Sequence, residues 1–223
     1  VGQWEKMFIN LYPKAKVLAI EPKNFRPQMR QKVLMQMRDG DYDGIIIAYS
    51  CFEMIGFSSE YAANYIKNQL EVIKERIDGL AKESIQSGYN WNNYFQRNKL
   101  GKEKENISKM LSRAFEGCTY IEDGVTFDQM EINTLFLDEA HNYKNLPIKT
   151  HLTRIRGINT KGSAKCQDML LKVRYVQNSN NGRGVVFATG TPLSNSISDA
   201  FVMQTYLQEK DMQQLRIANF DDW

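Results

Sequence analysis

The chain has 223 residues, of which 42% are hydrophobic, enough apolar content to build one large domain or two small ones. Lysine and arginine number 29 against 26 acidic residues, and this near balance does not by itself indicate a nucleic-acid-binding protein. No apolar run of about 18 residues and no signal-peptide pattern occur, so we expect a cytoplasmic protein with no membrane partner.

Four short apolar runs, rich in β-branched residues, predict β-strands. Each run is continuous rather than alternating, which is typical of strands buried on both faces of a parallel sheet. The runs are Lys16–Pro22, Gly44–Ser50, Thr134–Ala140 and Gly184–Gly190.

Apolar residues at helical spacing predict helices over Pro27–Arg38 and Tyr61–Leu80. The order strand, helix, strand predicts an α/β fold with a mostly parallel sheet flanked by helices. About 80 residues separate the second and third predicted strands, too many for a simple crossover. We therefore predict a mainly helical insertion at about residues 60–128. Its aromatic stretch, Tyr89–Phe95, either packs the insertion onto its domain or stacks on bases.

Two adjacent carboxylates, Asp138 and Glu139, follow the third predicted strand in the stretch LFLDEAHNYKNL. Ligands of parallel α/β sheets bind beyond the carboxyl ends of the strands, where one carboxylate can serve a metal ion and the other a water molecule. The fourth strand ends in ATGTPLSNS, whose hydroxyl residues can hydrogen-bond to the third strand's end or satisfy their own turn. They are Thr189, Thr191 and Ser194.

Basic residues are concentrated between Lys144 and Arg174, where eight lysines and arginines accompany one acid, Asp168. Such a cluster is either a solvated charged surface or a site that contacts nucleic-acid phosphates. Our candidates for phosphate contact are Arg154, Arg156, Lys161 and Lys165.

These strings together resemble superfamily 2 helicases, specifically the SNF2 branch with a DEAH box. LFLDEAHNYKNL resembles motif II, the Walker B element, and VVFATGTPLSNS resembles motif III. WEKMFINLYPKAKVLAI and DYDGIIIAYSCFEMI resemble the segment after motif Ia and the motif Ib region. Over Trp4 to Leu207 the chain is most similar to the helicase portion of large phage and mobile-element proteins, which often also carry an adenine-N6 DNA methyltransferase region.

The resemblance implies a RecA-like domain that uses ATP and Mg²⁺ and acts on duplex DNA. It implies that Asp138 binds Mg²⁺, that Glu139 activates water, and that His141 links the nucleotide state to the DNA-handling surface. The residues that it implies at the nucleotide are Thr189, Gly190 and Thr191. Those that it implies at the nucleic-acid backbone are Tyr49 and Ser50.

The string G-x-x-x-x-G-K-[ST], which would cradle the phosphates, does not occur in these residues. The family places this P-loop upstream of Val1 and a second RecA-like domain after Trp223. We therefore expect residues 1–223 to be part of a first RecA-like domain, inactive alone and completed by the rest of its parent polypeptide. One alternative is a degenerate RecA-like domain that acts as a DNA- or protein-binding scaffold.

A second alternative is a metal hydrolase. It would draw on four potential metal ligands without a supporting motif spacing, Asp138, Glu139, His141 and His151. The N-P-P-[YFW] string of adenine methyltransferases is absent, so any methylation would reside elsewhere in the parent polypeptide.

Overall fold

The computed structural model describes residues 1–65, 67–68, 70–71, 75, 124–148, 150, 158, 160–193, 196–215, 217 and 219–223. The chain divides into two units, Val1–Gly56 with Asp123–Trp223, and Phe57–Glu122. Among the described residues, no helix has the length and apolar character needed to cross a membrane.

Helices and short parallel strands alternate in the first unit, and short 3-10 helices occupy several of the connections. In chain order the elements are α1 (Gly2–Leu11), β1 (Val17–Ile20), a 3-10 turn (Pro22–Asn24), α2 (Pro27–Asp39), β2 (Gly44–Ile47), α3 (Tyr49–Phe52), a 3-10 turn (Phe127–Gln129), β3 (Leu135–Leu137), a 3-10 helix (Ala140–Tyr143), α4 (Ala164–Ser179), β4 (Val185–Phe187), α5 (Ser198–Leu207) and α6 (Glu209–Gln214).

The first sheet pairs β1 with β2 in parallel. The entry to both strands is held by Lys16 and Asp43: the Lys16 amide donates to Asp43 Oδ2 at 2.8 Å, and the Asp43 amide donates to the Lys16 carbonyl at 3.0 Å. Gly44 opens β2 where the Phe8 ring of α1 would lie 3.2 Å from an added Cβ. A side chain there would press on this ring, so the glycine lets α1 approach the sheet.

The second sheet pairs β3 with β4 in parallel, with Leu137 opposite Phe187. Beyond the strands the two segments stay hydrogen-bonded to each other. The Ala188 amide donates to the Leu137 carbonyl at 2.8 Å, and the Ala140 amide donates to the Ala188 carbonyl at 3.0 Å. The segments that follow β3 and β4 therefore leave the sheet side by side. This pairing brings the two sequence motifs together.

The predicted α/β class and its four strands are confirmed, but the described residues form two two-stranded sheets rather than one. The prediction that the strands are buried on both faces is wrong for β3 and β4. Phe136 is 73% exposed and its register partner Val186 is 45% exposed, whereas Leu137 is only 2% exposed. Successive side chains of a strand point to opposite faces, so only one face of this strand pair is buried.

The helix predicted over Pro27–Arg38 is confirmed as α2, which begins with Pro27 at its first turn and buries Val33, Leu34 and Met37. The predicted helix Tyr61–Leu80 is described only in part, and residues 59–65 are helical. Residues 76–123 lie outside the described residues, and so does the aromatic stretch. The helical insertion therefore stays a prediction.

Helix α4 is the central helix of the core, since nine of its 16 residues are buried. Arg174 of α4 pairs with Glu209 at 2.8 Å and donates to the Tyr206 carbonyl at 3.2 Å. The Arg174 cation satisfies the Tyr206 carbonyl, one of the acceptors at the end of α5 that have no partner within the helix. The side chains of α4 thus fix α5, which follows the β4 loop.

Candidate functional site

The candidate site is the turn between β3 and the 3-10 helix Ala140–Tyr143. Leu137, Ala140 and Tyr143 are buried and anchor the turn on both sides, while Asp138 and Glu139 are exposed between them. Apolar anchors flanking a polar pair hold the backbone against the core and leave the two carboxylates facing solvent. This local pattern is what LFLDEAHNY encodes.

Asp138 is oriented through three of its oxygens. Its Oδ1 accepts a hydrogen bond from the Glu139 amide at 3.0 Å, and its Oδ2 accepts one from Trp4 Nε1 of α1 at 2.9 Å. Its carbonyl accepts the hydroxyl of Tyr49. Burial, followed by the nearby charges of Asp138 and Glu139, raises the pKa of Tyr49 to about 12, so the phenol keeps its proton and remains a donor.

Glu139 has a left-handed backbone conformation with φ of 48°. Left-handed backbone costs a residue with a Cβ about 1 kcal/mol, and such strain is concentrated at functional sites. The Glu139 carbonyl accepts hydrogen bonds from the Asn142 amide and from Asn142 Nδ2, both at 3.0 Å. These bonds hold the turn in this conformation.

His141 connects the carboxylates to the loop after β4. Its Nδ1 lies 3.1 Å from Thr189 Oγ1 and 3.1 Å from Glu139 Oε2. A ring nitrogen carries either a proton or a lone pair, so Nδ1 either donates towards both oxygens or accepts from the Thr189 hydroxyl. Thr189 Oγ1 also accepts the Thr191 amide at 3.2 Å, and this extends the chain of contacts along the loop.

Lys144 is a second connection, which the sequence analysis counted only as part of the basic cluster. Its Nζ donates to the Thr191 carbonyl at 2.6 Å and pairs with Asp199 Oδ2 of α5 at 3.1 Å. Lys144 is the C-cap of the 3-10 helix Ala140–Tyr143, and its sequence carries no signal for these two contacts. The contact of Trp4 with Asp138 has no sequence signal, since 134 positions separate the two residues.

Four further predicted site residues are exposed: Ser50, Gly190, Lys161 and Lys165. Ser50 is exposed on α3, and Gly190 is exposed with nothing within 4 Å of an added Cβ. Lys161 is exposed, and Lys165 has its Nζ 5.5 Å from the ring centre of Tyr143, on the 3-10 helix of the site. The predicted residues outside the described part of the chain are His151, Arg154, Arg156 and Ser194.

The described side chains can be matched to the ligand requirements of two kinds of metal site. Within the described ranges no group of three or more His, Cys, Asp or Glu side chains could hold a metal ion, and His151 of the metal-hydrolase alternative lies outside those ranges. Mg²⁺ is commonly bound by one or two carboxylates together with phosphates and waters. The exposed carboxylate of Asp138, beyond the end of β3, is suitable as one such ligand.

Comparison with known proteins assigns the chain to the helicase class. Residues 1–223 match the family model described as a probable helicase domain, and the chain therefore belongs to that family. It is also similar to "Defense against restriction protein B" of Escherichia phage P1, with 31% identity over 100 residues that cover 44% of this chain and 4% of that protein. The chain thus matches a small fraction of that relative's length. No solved structure matches the chain.

Proposed function

We propose that this domain is part of the motor of a DNA-dependent ATPase, a SNF2-like, DEAH-box helicase or translocase with a RecA-like fold. It would use ATP and Mg²⁺ to move on or remodel duplex DNA. Membership of the probable helicase domain family supports the proposal. The observation that carries it is the contact chain from Glu139 through His141 to Thr189, which joins the ends of two parallel strands.

The two carboxylates have separate roles in this proposal. Asp138 would bind Mg²⁺, held in position by the Trp4 indole and the Glu139 amide. Mg²⁺ bound with the nucleotide would neutralise developing phosphate charge. Glu139 would orient the attacking water, because its carboxylate is exposed and its Oε2 lies 3.1 Å from His141 Nδ1.

His141 and the loop Thr189–Thr191 would transmit the state of the site. His141 Nδ1 contacts both Thr189 Oγ1 and Glu139 Oε2. A displacement of Thr189 would therefore alter the contacts of the same nitrogen that lies beside Glu139. Nucleotide-dependent changes at the carboxylates would therefore be felt in the loop after β4, and changes in the loop would be felt at the carboxylates. Reciprocity of this kind is required of any coupling between two binding sites.

The rest of the parent polypeptide would supply the P-loop and a second RecA-like domain, since no G-x-x-x-x-G-K-[ST] string occurs here. Lys161, Lys165 and Ser50 are exposed and remain candidates for the DNA backbone, together with Arg154 and Arg156. Tyr49 is also a candidate, although its hydroxyl is engaged by Asp138. The name of the phage P1 relative, which refers to restriction, is consistent with DNA as the nucleic acid.

The test is Mg²⁺-dependent ATP hydrolysis by the full-length protein, with and without duplex DNA. We expect DNA-stimulated turnover that Glu139→Gln abolishes. Glu131→Gln is the matched control, because Glu131 is also exposed with a left-handed φ of 51° but precedes β3. Absence of turnover in the wild-type protein, with DNA binding retained, would instead support the non-enzymatic scaffold.

A further inference from the structure

Lys144 and His141 lie three residues apart and contact opposite ends of the same loop. His141 contacts the side chain of Thr189, at the start of the loop, and Lys144 contacts the carbonyl of Thr191, at its end. The Thr191 amide closes the arrangement on Thr189 Oγ1. The loop is therefore held at two points by one short segment, His141–Lys144, which comprises the end of the 3-10 helix and its C-cap.

Lys144 joins a nearly buried carboxylate to an exposed loop. The side chains of Lys144 and Asp199 are each 11% exposed, whereas Thr191 is exposed. A charge-assisted hydrogen bond from an ammonium to a carbonyl, such as the one from Lys144 to Thr191, is stronger than one between neutral groups. Asp199 also lies in the first turn of α5, where a carboxylate is stabilised by the free amides of the helix. Asp199 thus has a second source of stabilisation.

We propose that Lys144 is a positioning residue that holds the loop Thr189–Thr191 so that Thr189 stays on His141 beside Glu139. The proposal rests on the proposed hydrolytic function. Lys144 would not touch the nucleotide, because its Nζ is directed to Thr191 and Asp199. Its loss should therefore lower kcat for ATP hydrolysis and leave KM for ATP almost unchanged.

The ion pair and the loop contact can be separated by mutation. Lys144→Met removes both, whereas Asp199→Asn removes the ionic partner and leaves the ammonium free to donate to the Thr191 carbonyl. Lys144→Arg keeps a cation with several donors and tests rescue. Lys16→Met is the matched control, because Lys16 forms an exposed ion pair with Asp41 at 2.9 Å.

Two readouts are taken on the full-length protein: steady-state ATP hydrolysis and hydrogen exchange of the peptide that spans residues 189–193. For Lys144→Met we expect kcat to fall about tenfold, the size of one lost charge-assisted hydrogen bond, with faster exchange in that peptide and unchanged exchange over β3 and β4. Asp199→Asn and Lys144→Arg should lose less in both readouts. Lys16→Met should match the wild type.

The failures of the two proposals are distinguishable. Equal losses of thermal stability in Lys144→Met and Asp199→Asn, with wild-type kcat and wild-type exchange at 189–193, would overturn the positioning role and reduce Lys144 to a structural ion pair. A wild-type protein without ATPase activity would overturn the proposed function instead. In that case, unchanged hydrogen exchange of the peptide 189–193 in Lys144→Met would by itself still refute the positioning role of Lys144.

Discussion

The indole Nε1 of Trp4 donates a hydrogen bond to Oδ2 of Asp138 at 2.9 Å, so the first helix of the chain orients a carboxylate 134 positions away. Trp4→Phe removes this donor and keeps the aromatic bulk. Partners that orient a metal-binding carboxylate typically change metal affinity by about tenfold or more. We expect the Mg²⁺ concentration for half-maximal ATP hydrolysis by the full-length protein to rise about tenfold, near the low end because Trp4 is partly exposed.

Trp223→Phe is the control for this substitution, because the Trp223 indole donates to Gln204 and not to the candidate site. An independent readout is the indole ¹H–¹⁵N resonance of Trp4, which should shift in Asp138→Asn without any metal or nucleotide present. An unmoved Trp4 resonance would show that the hydrogen bond is not formed in solution. An unchanged Mg²⁺ concentration for half-maximal ATP hydrolysis in Trp4→Phe would show that this hydrogen bond does not affect Mg²⁺ binding.

The strained backbone of Glu139 predicts that glycine and alanine variants at this position differ in stability but not in activity. Glycine adopts a left-handed φ without the Cβ penalty, so Glu139→Gly should be more stable than Glu139→Ala by about 1 kcal/mol. Both variants should lack ATP hydrolysis, since each removes the carboxylate. Chemical denaturation of the two variants measures the difference. The same pair of substitutions at Glu131, with its φ of 51°, should reproduce the stability difference without loss of activity.

Equal stability of the glycine and alanine variants at position 139, together with the expected difference at position 131, would contradict strain at the candidate site. Because both variants at position 139 lack the glutamate carboxylate, comparing glycine with alanine cancels the effect of losing it. Strain that the fold tolerates at a position proposed to be catalytic is one form of the general conflict between stability and function.

The sequence was sufficient for the four described strands and for helix α2. Continuous β-branched runs gave all four strands, and Pro27 with its apolar spacing gave α2 to within one residue at its end. These features depend on residues close together in the chain. The sequence left open whether Thr189 contacts the end of the third strand or satisfies its own turn, and in the structure its Oγ1 contacts both His141 and the Thr191 amide.

Contacts between distant elements could not be predicted. Nothing in the pattern around Trp4 indicates Asp138, and the basic character of Lys144 concealed its burial against Asp199. The exposure of Phe136 was likewise not predicted, because an apolar run does not state which faces of a strand are covered. Each of these depends on how elements pack, and single-sequence patterns carry little information about packing.

The unequal faces of β3 give a stability prediction for adjacent residues. Leu137→Ala should destabilise the chain by about 3 kcal/mol, because it deletes a side chain that is almost fully buried. Phe136→Thr should change the free energy of unfolding by less than about 1 kcal/mol, since the ring is largely exposed and threonine favours strands. Denaturant unfolding of the 223-residue chain measures both. A larger loss for Phe136→Thr would mean that its face of the sheet is covered in solution.

The last prediction concerns Lys172, whose side chain is fully buried. Its Nζ pairs with Asp168 at 2.6 Å, donates to the Phe52 carbonyl at 2.9 Å and lies 4.6 Å from the centre of the Phe52 ring. Lys172→Met should cost about 3 kcal/mol, because it leaves the Asp168 carboxylate buried without its cation. Adding Asp168→Leu should recover part of that loss, and Lys16→Met, at an exposed pair, should leave the unfolding midpoint unchanged. A double variant less stable than Lys172→Met would show that Asp168 is held mainly by other partners.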